Sequence, residues 1–87
     1  MIQGIIGNLH KIAEAAKGPD AGKAKETVAL TRKLIQEANG GAKSDTLLMQ
    51  LDAELSTWLA KWDVIVREPI GRQGMAKHAR HWAERLK

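Results

Sequence analysis

Apolar residues recur along this chain with the three- and four-residue spacing of an α-helix. The most regular run comprises six residues: Leu48, Leu51, Leu55, Trp58, Trp62 and Ile65. Side chains at this spacing share one face of a helix, whereas a half-buried strand alternates apolar and polar positions, which no segment does here. The pattern therefore predicts an all-α protein.

Three other segments carry a similar stripe of apolar positions. In chain order, the members are Ile2, Ile5, Leu9, Ile12 and Ala16; then Ala24, Val28, Thr31, Ile35 and Ala38; and finally Met75, Ala79, Trp82 and Leu86. A helix with one apolar stripe buries that stripe against its neighbours. We therefore expect the four stripes to form a single core.

Glycine and proline mark three breaks between these segments, at residues 17–22, 38–45 and 67–74. In the third break, Pro69 disfavours helical backbone at Glu68. Gly71 and Gly74 are expected to let the chain turn tightly there, because glycine adopts backbone angles that other residues avoid. This break is expected to aim the last helix back along the one before it.

The predicted connections are short, and Ser44 or Asp45 can cap the third helix by accepting hydrogen bonds from its free N–H groups. Helices joined by short connections run antiparallel as a rule. A chain of 87 residues has the length of one domain. We predict a single domain, 1–87, with an all-α, four-helix antiparallel bundle fold.

Composition narrows the class of protein further. The chain has no cysteine, which suits a reducing cytoplasm. Its first residues have neither the charged start nor the cleavage site of a signal peptide, and their apolar positions are too interrupted to span a bilayer. We expect a cytoplasmic protein without membrane association. A domain of this size buries roughly 60% of its unfolded surface, so a partner or self-association would add stability.

Charge is distributed unevenly along the chain, whose net charge is +4. The first sixty-six residues hold eight Lys and Arg and eight Asp and Glu, and are neutral in sum. The last part holds two glutamates and six basic residues, namely Arg67, Arg72, Lys77, Arg80, Arg85 and Lys87. Such segregation indicates an acidic partner.

The fourth predicted helix is amphipathic, with a basic solvent face. A rotation of about 100° per residue places its apolar residues within one arc of about 120°, and these are Met75, Ala76, Ala79, Trp82, Ala83 and Leu86. Basic residues cover most of the remaining surface, as in helices that bind a phosphate backbone. We predict that nucleic acid contacts all six basic residues of this region. The alternative is a charged face that serves solubility alone.

No residue pattern points to catalysis, a cofactor or a metal. The stretch GPDAGKA at residues 18–24 departs from a phosphate-binding loop, because its glycines are one residue too close and Ala24 replaces the hydroxyl residue. His78 and His81 could share one side of a helix, but the basic residues around them would repel a divalent cation. We expect a protein that is not an enzyme, with no catalytic residues, no metal site and no cofactor.

Two functions of different classes fit this sequence. The first is a non-catalytic subunit that binds nucleic-acid backbone. Small basic helical bundles serve as accessory subunits of ribonucleoprotein complexes, and that analogy rests on the fold alone. The second is a protein–protein adaptor, an inhibitor or a homo-oligomer, in which the heptad stripe docks on a partner through Trp58 and Trp62. The same two tryptophans also suit a core that lacks Phe and Tyr.

Overall fold

The structure, a computed structural model, describes residues 2–18, 21–39 and 46–87. Five α-helices and one 3₁₀ turn account for nearly all of these residues, and none of them forms a strand. The helices are α1 (Ile2–Ala16), α2 (Ala24–Asn39), α3 (Thr46–Ala60), α4 (Trp62–Arg67) and α5 (Pro69–Arg85), with the 3₁₀ turn at Ala21–Lys23 before α2. The all-α prediction is confirmed. Two of the predicted breaks, and the proposed cap at Ser44 or Asp45, fall wholly or partly outside the described residues.

The predicted third helix is divided into α3 and α4 at Lys61, whose backbone (φ −111°, ψ 20°) departs from helical angles. Helical hydrogen bonds continue through it, since the Lys61 N–H donates to the Thr57 carbonyl and the Ile65 N–H donates to the Lys61 carbonyl. The Thr57 hydroxyl also donates to the Ala53 carbonyl at 3.1 Å. A threonine that bonds back to a carbonyl of its own helix tends to disturb the helix, and Thr57 lies one turn before the interruption at Lys61. The apolar stripe therefore continues from α3 into α4.

The corner between α4 and α5 is shorter than the predicted break at residues 67–74. One residue forms it, because Glu68 is extended (φ −121°, ψ 149°) and Pro69 already begins α5. The preference of a residue before proline for extended backbone accounts for this stop. The expectation that Gly71 and Gly74 form the turn is wrong, since both lie inside α5 and no described glycine has a positive φ.

Gly71 is nevertheless required at this corner, for a different reason. A Cβ atom built on Gly71 would lie 2.0 Å from the carbonyl oxygen of Ile65, closer than any real contact of this kind. The missing side chain lets the start of α5 approach the backbone of α4. At Gly74, by contrast, a Cβ would meet nothing within 4 Å.

The core contains members of all four predicted stripes. The largest of its fully buried side chains are Ile5, Leu9, Ile12, Val28, Thr31, Ile35, Leu51 and Leu55. Thr31 is the polar member, and its hydroxyl is satisfied by donating to the Thr27 carbonyl at 2.7 Å. The stripe positions at the helix ends, Ile2, Ala38, Ile65 and Leu86, are half-buried. The predicted core is therefore confirmed, and burial is incomplete at the ends of the stripes.

The helices pack so that α1 contacts both α2 and α5, α2 contacts α3, and α4 contacts α5. An ion pair joins α2 to α3, with Arg32 Nε 2.9 Å from Asp52 Oδ1 and both side chains about three-quarters buried. Side-chain contacts also link α3 to α5, as described below. No described helix has the length and hydropathy that a bilayer crossing requires. The four-helix antiparallel arrangement stays a prediction.

Candidate nucleic-acid interface

The surface of α5 divides into an apolar face and a basic face, as the sequence predicts. Its buried residues are Met75, Ala76, Ala79, Trp82 and Ala83. The side chains of Lys77, His78, Arg80, His81, Glu84 and Arg85 are exposed. Positive charge therefore follows the solvent side of the helix over about three turns.

Lys77 and Arg80 supply the least restrained charges of this face. Both are exposed, and neither forms an ion pair or hydrogen bond with any of the described residues. They are three residues apart, which places them on adjacent turns of the same side of α5. Both cations can therefore reach a phosphate group without first breaking an internal contact.

Arg85 is held against the ring of Trp82. Its guanidinium carbon lies 4.4 Å from the ring centroid, the geometry of a cation–π contact. Such a contact is worth about 0.5–1 kcal/mol at an exposed site. The guanidinium group is thus positioned on the surface while Trp82 remains buried in the core.

Lys87, two residues after the end of α5, is paired with Glu84 of that helix. The Lys87 ammonium donates to the Glu84 carboxylate at 2.9 Å, and both side chains are exposed. This hydrogen bond and the charge of Lys87, together with a smaller contribution from His10, hold the pKa of the Glu84 carboxyl below its ordinary value. The charge of Lys87 is therefore partly offset by Glu84.

Arg67 and Arg72 lie at the α4–α5 corner in different environments. Arg67 is exposed at the end of α4. Arg72 is half-buried, and one of its terminal nitrogens donates to the Val66 carbonyl at 2.9 Å. Its Nε is buried without a hydrogen-bond partner among the described residues. Arg72 thus stabilises the corner, and its predicted contact with nucleic acid stays a prediction.

The carboxylate of Glu54, on α3, connects that helix to α5. One of its oxygens accepts a hydrogen bond from the indole N–H of Trp82. The other lies 3.5 Å from Nδ1 of His78. Sequence reasoning missed this residue, because Glu54 lies twenty-four or more positions from both of its partners. One signal in the sequence points to Glu54, which lies between Leu51 and Leu55, next to the apolar stripe.

A shallow depression of about 370 Å³ lies beside this junction. Its lining includes Lys77, His78 and His81. Within the described part of the chain, no three His, Asp or Glu side chains converge as metal ligands. The described polar groups of its lining are the Lys77 ammonium and the two imidazoles, which can donate hydrogen bonds to an anion.

Trp58 and Trp62, the predicted interface residues, are buried within the chain. Their exposed fractions are 6% and 4%, and both belong to the hydrophobic core. Both side chains pack in the core with the apolar stripe of α3 and α4 and do not lie on the surface. Their role in a protein interface stays a prediction that would require the core to open.

Comparison with known proteins gives no family for this chain. No family model matches the sequence, and neither the curated proteins nor the solved structures contain a match. The function must therefore be argued from the surface just described.

Proposed function

We propose that this protein binds the phosphate backbone of nucleic acids without catalysis, through the exposed basic face of α5. The observation that carries the proposal is the pair of unrestrained cations, Lys77 and Arg80, opposite an apolar face that is buried from Met75 to Ala83. Arg85, fixed over Trp82, adds a third charge. Arg67, exposed at the end of α4, and Lys87, two residues after α5, supply further positive charge. Contacts to phosphate of this kind hold nucleic acid without reading its bases.

The proposed scaffold is a four-helix antiparallel bundle in which α3 and α4 together form the third helix. On this scaffold the basic face remains free because α1, α3 and α4 contact the other sides of α5. We place the activity in the cytoplasm, in keeping with a chain that has no cysteine. A domain this small suits the role of an accessory subunit in a ribonucleoprotein complex.

Binding of labelled single-stranded and duplex RNA and DNA, repeated at several salt concentrations, tests this proposal. On duplex DNA, the logarithm of the binding constant should fall with the logarithm of salt concentration with a slope of about −0.9 per phosphate contacted. The slope should be shallower on single strands. The variant Lys77→Glu, Arg80→Glu, Arg85→Glu should lose binding while its circular dichroism stays that of a folded helical protein.

A second triple variant provides the control for net charge. Lys23→Glu, Lys25→Glu and Lys33→Glu change the total charge by the same amount, but these residues belong to the 3₁₀ turn and α2, which pack on α1 and α3. This variant should retain most of the binding. Tight binding by the α5 variant, or equal loss in both variants, would contradict a specific role for the α5 face.

A protein–protein function is the second candidate, and a different surface favours it. Val64 and Ile70 flank the corner at Glu68 and are 69% and 78% exposed. Protein interfaces are marked by contiguous exposed apolar patches, and these two side chains are the candidate members of one at this corner. Sedimentation of the wild type and of Val64→Ser, Ile70→Ser over the micromolar range tests self-association. If the wild type is monomeric, this surface would have to bind a different protein and not a second copy of this chain.

A further inference from the structure

The depression lies at one edge of the basic face of α5, on the side where Glu54 of α3 contacts this helix. Lys77 and His81 are one turn apart, and His78 follows Lys77 toward the side where Glu54 contacts α5. Ligand sites occupy roughly 300–1,000 Å³, and one water molecule takes about 30 Å³. A depression of about 370 Å³ therefore has room for a phosphate group with several water molecules.

We propose that this depression, lined by Lys77, His78 and His81, is a phosphate-binding subsite whose affinity rises as its two histidines become protonated. This inference rests on the proposed function of the α5 face, and it names where on that face one phosphate is held. The Lys77 ammonium has three donors, and each imidazole offers one donor when neutral and two when protonated.

Glu54 makes the charge of His78 decisive for an anion in this depression. Its carboxylate lies 3.5 Å from His78, so it repels a phosphate group whenever His78 is neutral. Protonation of His78 offsets that negative charge, and protonation of His81 adds a cation that no described carboxylate pairs with. Imidazoles change charge between about pH 5 and 8. Binding should therefore strengthen as the pH falls through this range.

Other charged groups around the two histidines modify this response but keep its direction. On α5 itself, the charged residues within about one turn of either histidine are Lys77, Arg80, Glu84 and Arg85. On α1, His10 lies close enough to Glu84 to act on its carboxyl. On α4, the charged residues are Asp63 and Arg67, and this helix meets α5 at Gly71, about two turns before His78.

The test uses a dye-labelled single-stranded DNA without a terminal phosphate, because its internal phosphodiesters keep the same charge from about pH 5.5 to pH 8. The wild-type chain of 87 residues should bind this probe roughly three- to tenfold more tightly at the lower pH. The variant His78→Gln, His81→Gln should lose that gain. His10→Gln should keep it, since His10 is exposed on α1 and does not line the depression.

A second probe, the same oligonucleotide with a 5′-phosphate, distinguishes the two sources of phosphate. At about pH 5.5, where a terminal phosphate carries mostly one negative charge as a phosphodiester does, equal histidine-dependent binding of both probes would assign the subsite to internal phosphodiesters, and tighter histidine-dependent binding of the second would assign it to a terminal phosphate. Equal wild-type affinity at both pH values, or an undiminished gain in the double variant, would overturn the subsite and leave the proposed function standing.

Titration with inorganic phosphate, followed by NMR of the imidazole C–H signals near pH 6, separates the two proposals when DNA does not bind. Saturable shifts of the His78 and His81 signals, with little change at His10, would support the subsite even if the proposed function failed. An absence of saturable shifts in this titration, together with an absence of DNA binding, would overturn both.

Discussion

The carboxylate of Glu54 on α3 accepts a hydrogen bond from the indole N–H of Trp82 on α5. Trp82 is 5% exposed, so this N–H is withdrawn from water and needs an acceptor within the chain. The other carboxylate oxygen of Glu54 lies 3.5 Å from Nδ1 of His78. A single side chain thus satisfies a buried donor and sets the charge beside the proposed phosphate subsite.

Replacing Glu54 with alanine should lower the free energy of unfolding by about 1–3 kcal/mol. The indole N–H of Trp82 would then be left without its acceptor, and the cost of an unsatisfied buried donor is of this size. Glu54→Gln should cost less than about 1 kcal/mol, because the amide oxygen can still accept from the indole. Urea unfolding measures both differences.

The matched control for Glu54 is Glu37→Ala, on the exposed face of α2, where no described residue forms an ion pair with Glu37. A surface change of this kind stays within about 0.5 kcal/mol of the wild type. Equal effects of Glu54→Ala and Glu37→Ala would mean that the contact with Trp82 contributes nothing to stability.

Gly71→Ala should destabilise the protein by about 1–3 kcal/mol or more. The added methyl group would meet the Ile65 carbonyl oxygen at 2.0 Å, so α4 and α5 must move apart and the packing beside them must loosen. Gly74→Ala, one turn later in the same helix, has open space around the new atom and should stabilise by about 0.5–1 kcal/mol. Thermal unfolding of the two variants should shift in opposite directions.

The ion pair between Arg32 and Asp52 should show measurable coupling in a double-mutant cycle. Both side chains are more than two-thirds buried, and the pair joins α2 to α3 across twenty residues of sequence. We expect a coupling energy of about 0.5–1 kcal/mol from urea unfolding of Arg32→Ala, Asp52→Ala and the double variant. The exposed pair between Glu14 of α1 and Lys17, one residue after that helix, should couple by less than about 0.5 kcal/mol.

The Glu84 carboxyl should titrate at a lower pH in the folded protein than an ordinary glutamate. Its pKa is lowered in the folded state, so the contact with Lys87 stabilises the fold above the ordinary glutamate range and is lost as the pH falls through the folded-state pKa. Lys87→Ala should raise this pKa toward the ordinary value, as NMR titration of the Glu84 side chain would show. An unchanged titration in Lys87→Ala would contradict the assigned cause.

The sequence by itself determined the helical class, the extents of α1 and α2 and nearly every core position. These features follow from local rules, since a three- and four-residue period defines a face and Pro69 stops a helix at Glu68. The same rules predict which residues of α5 are exposed. The division of the third helix at Lys61 was not predicted, because the apolar stripe continues across this residue.

Only the tertiary structure decided which of the six basic residues are restrained and what surrounds the histidines. Arg72 binds the Val66 carbonyl, and Gly71 sits against Ile65, because two helices meet at that corner. Glu54 reaches Trp82 and His78 across more than twenty residues of chain. Contacts between distant residues depend on how whole helices pack, which periodicity within one helix does not specify.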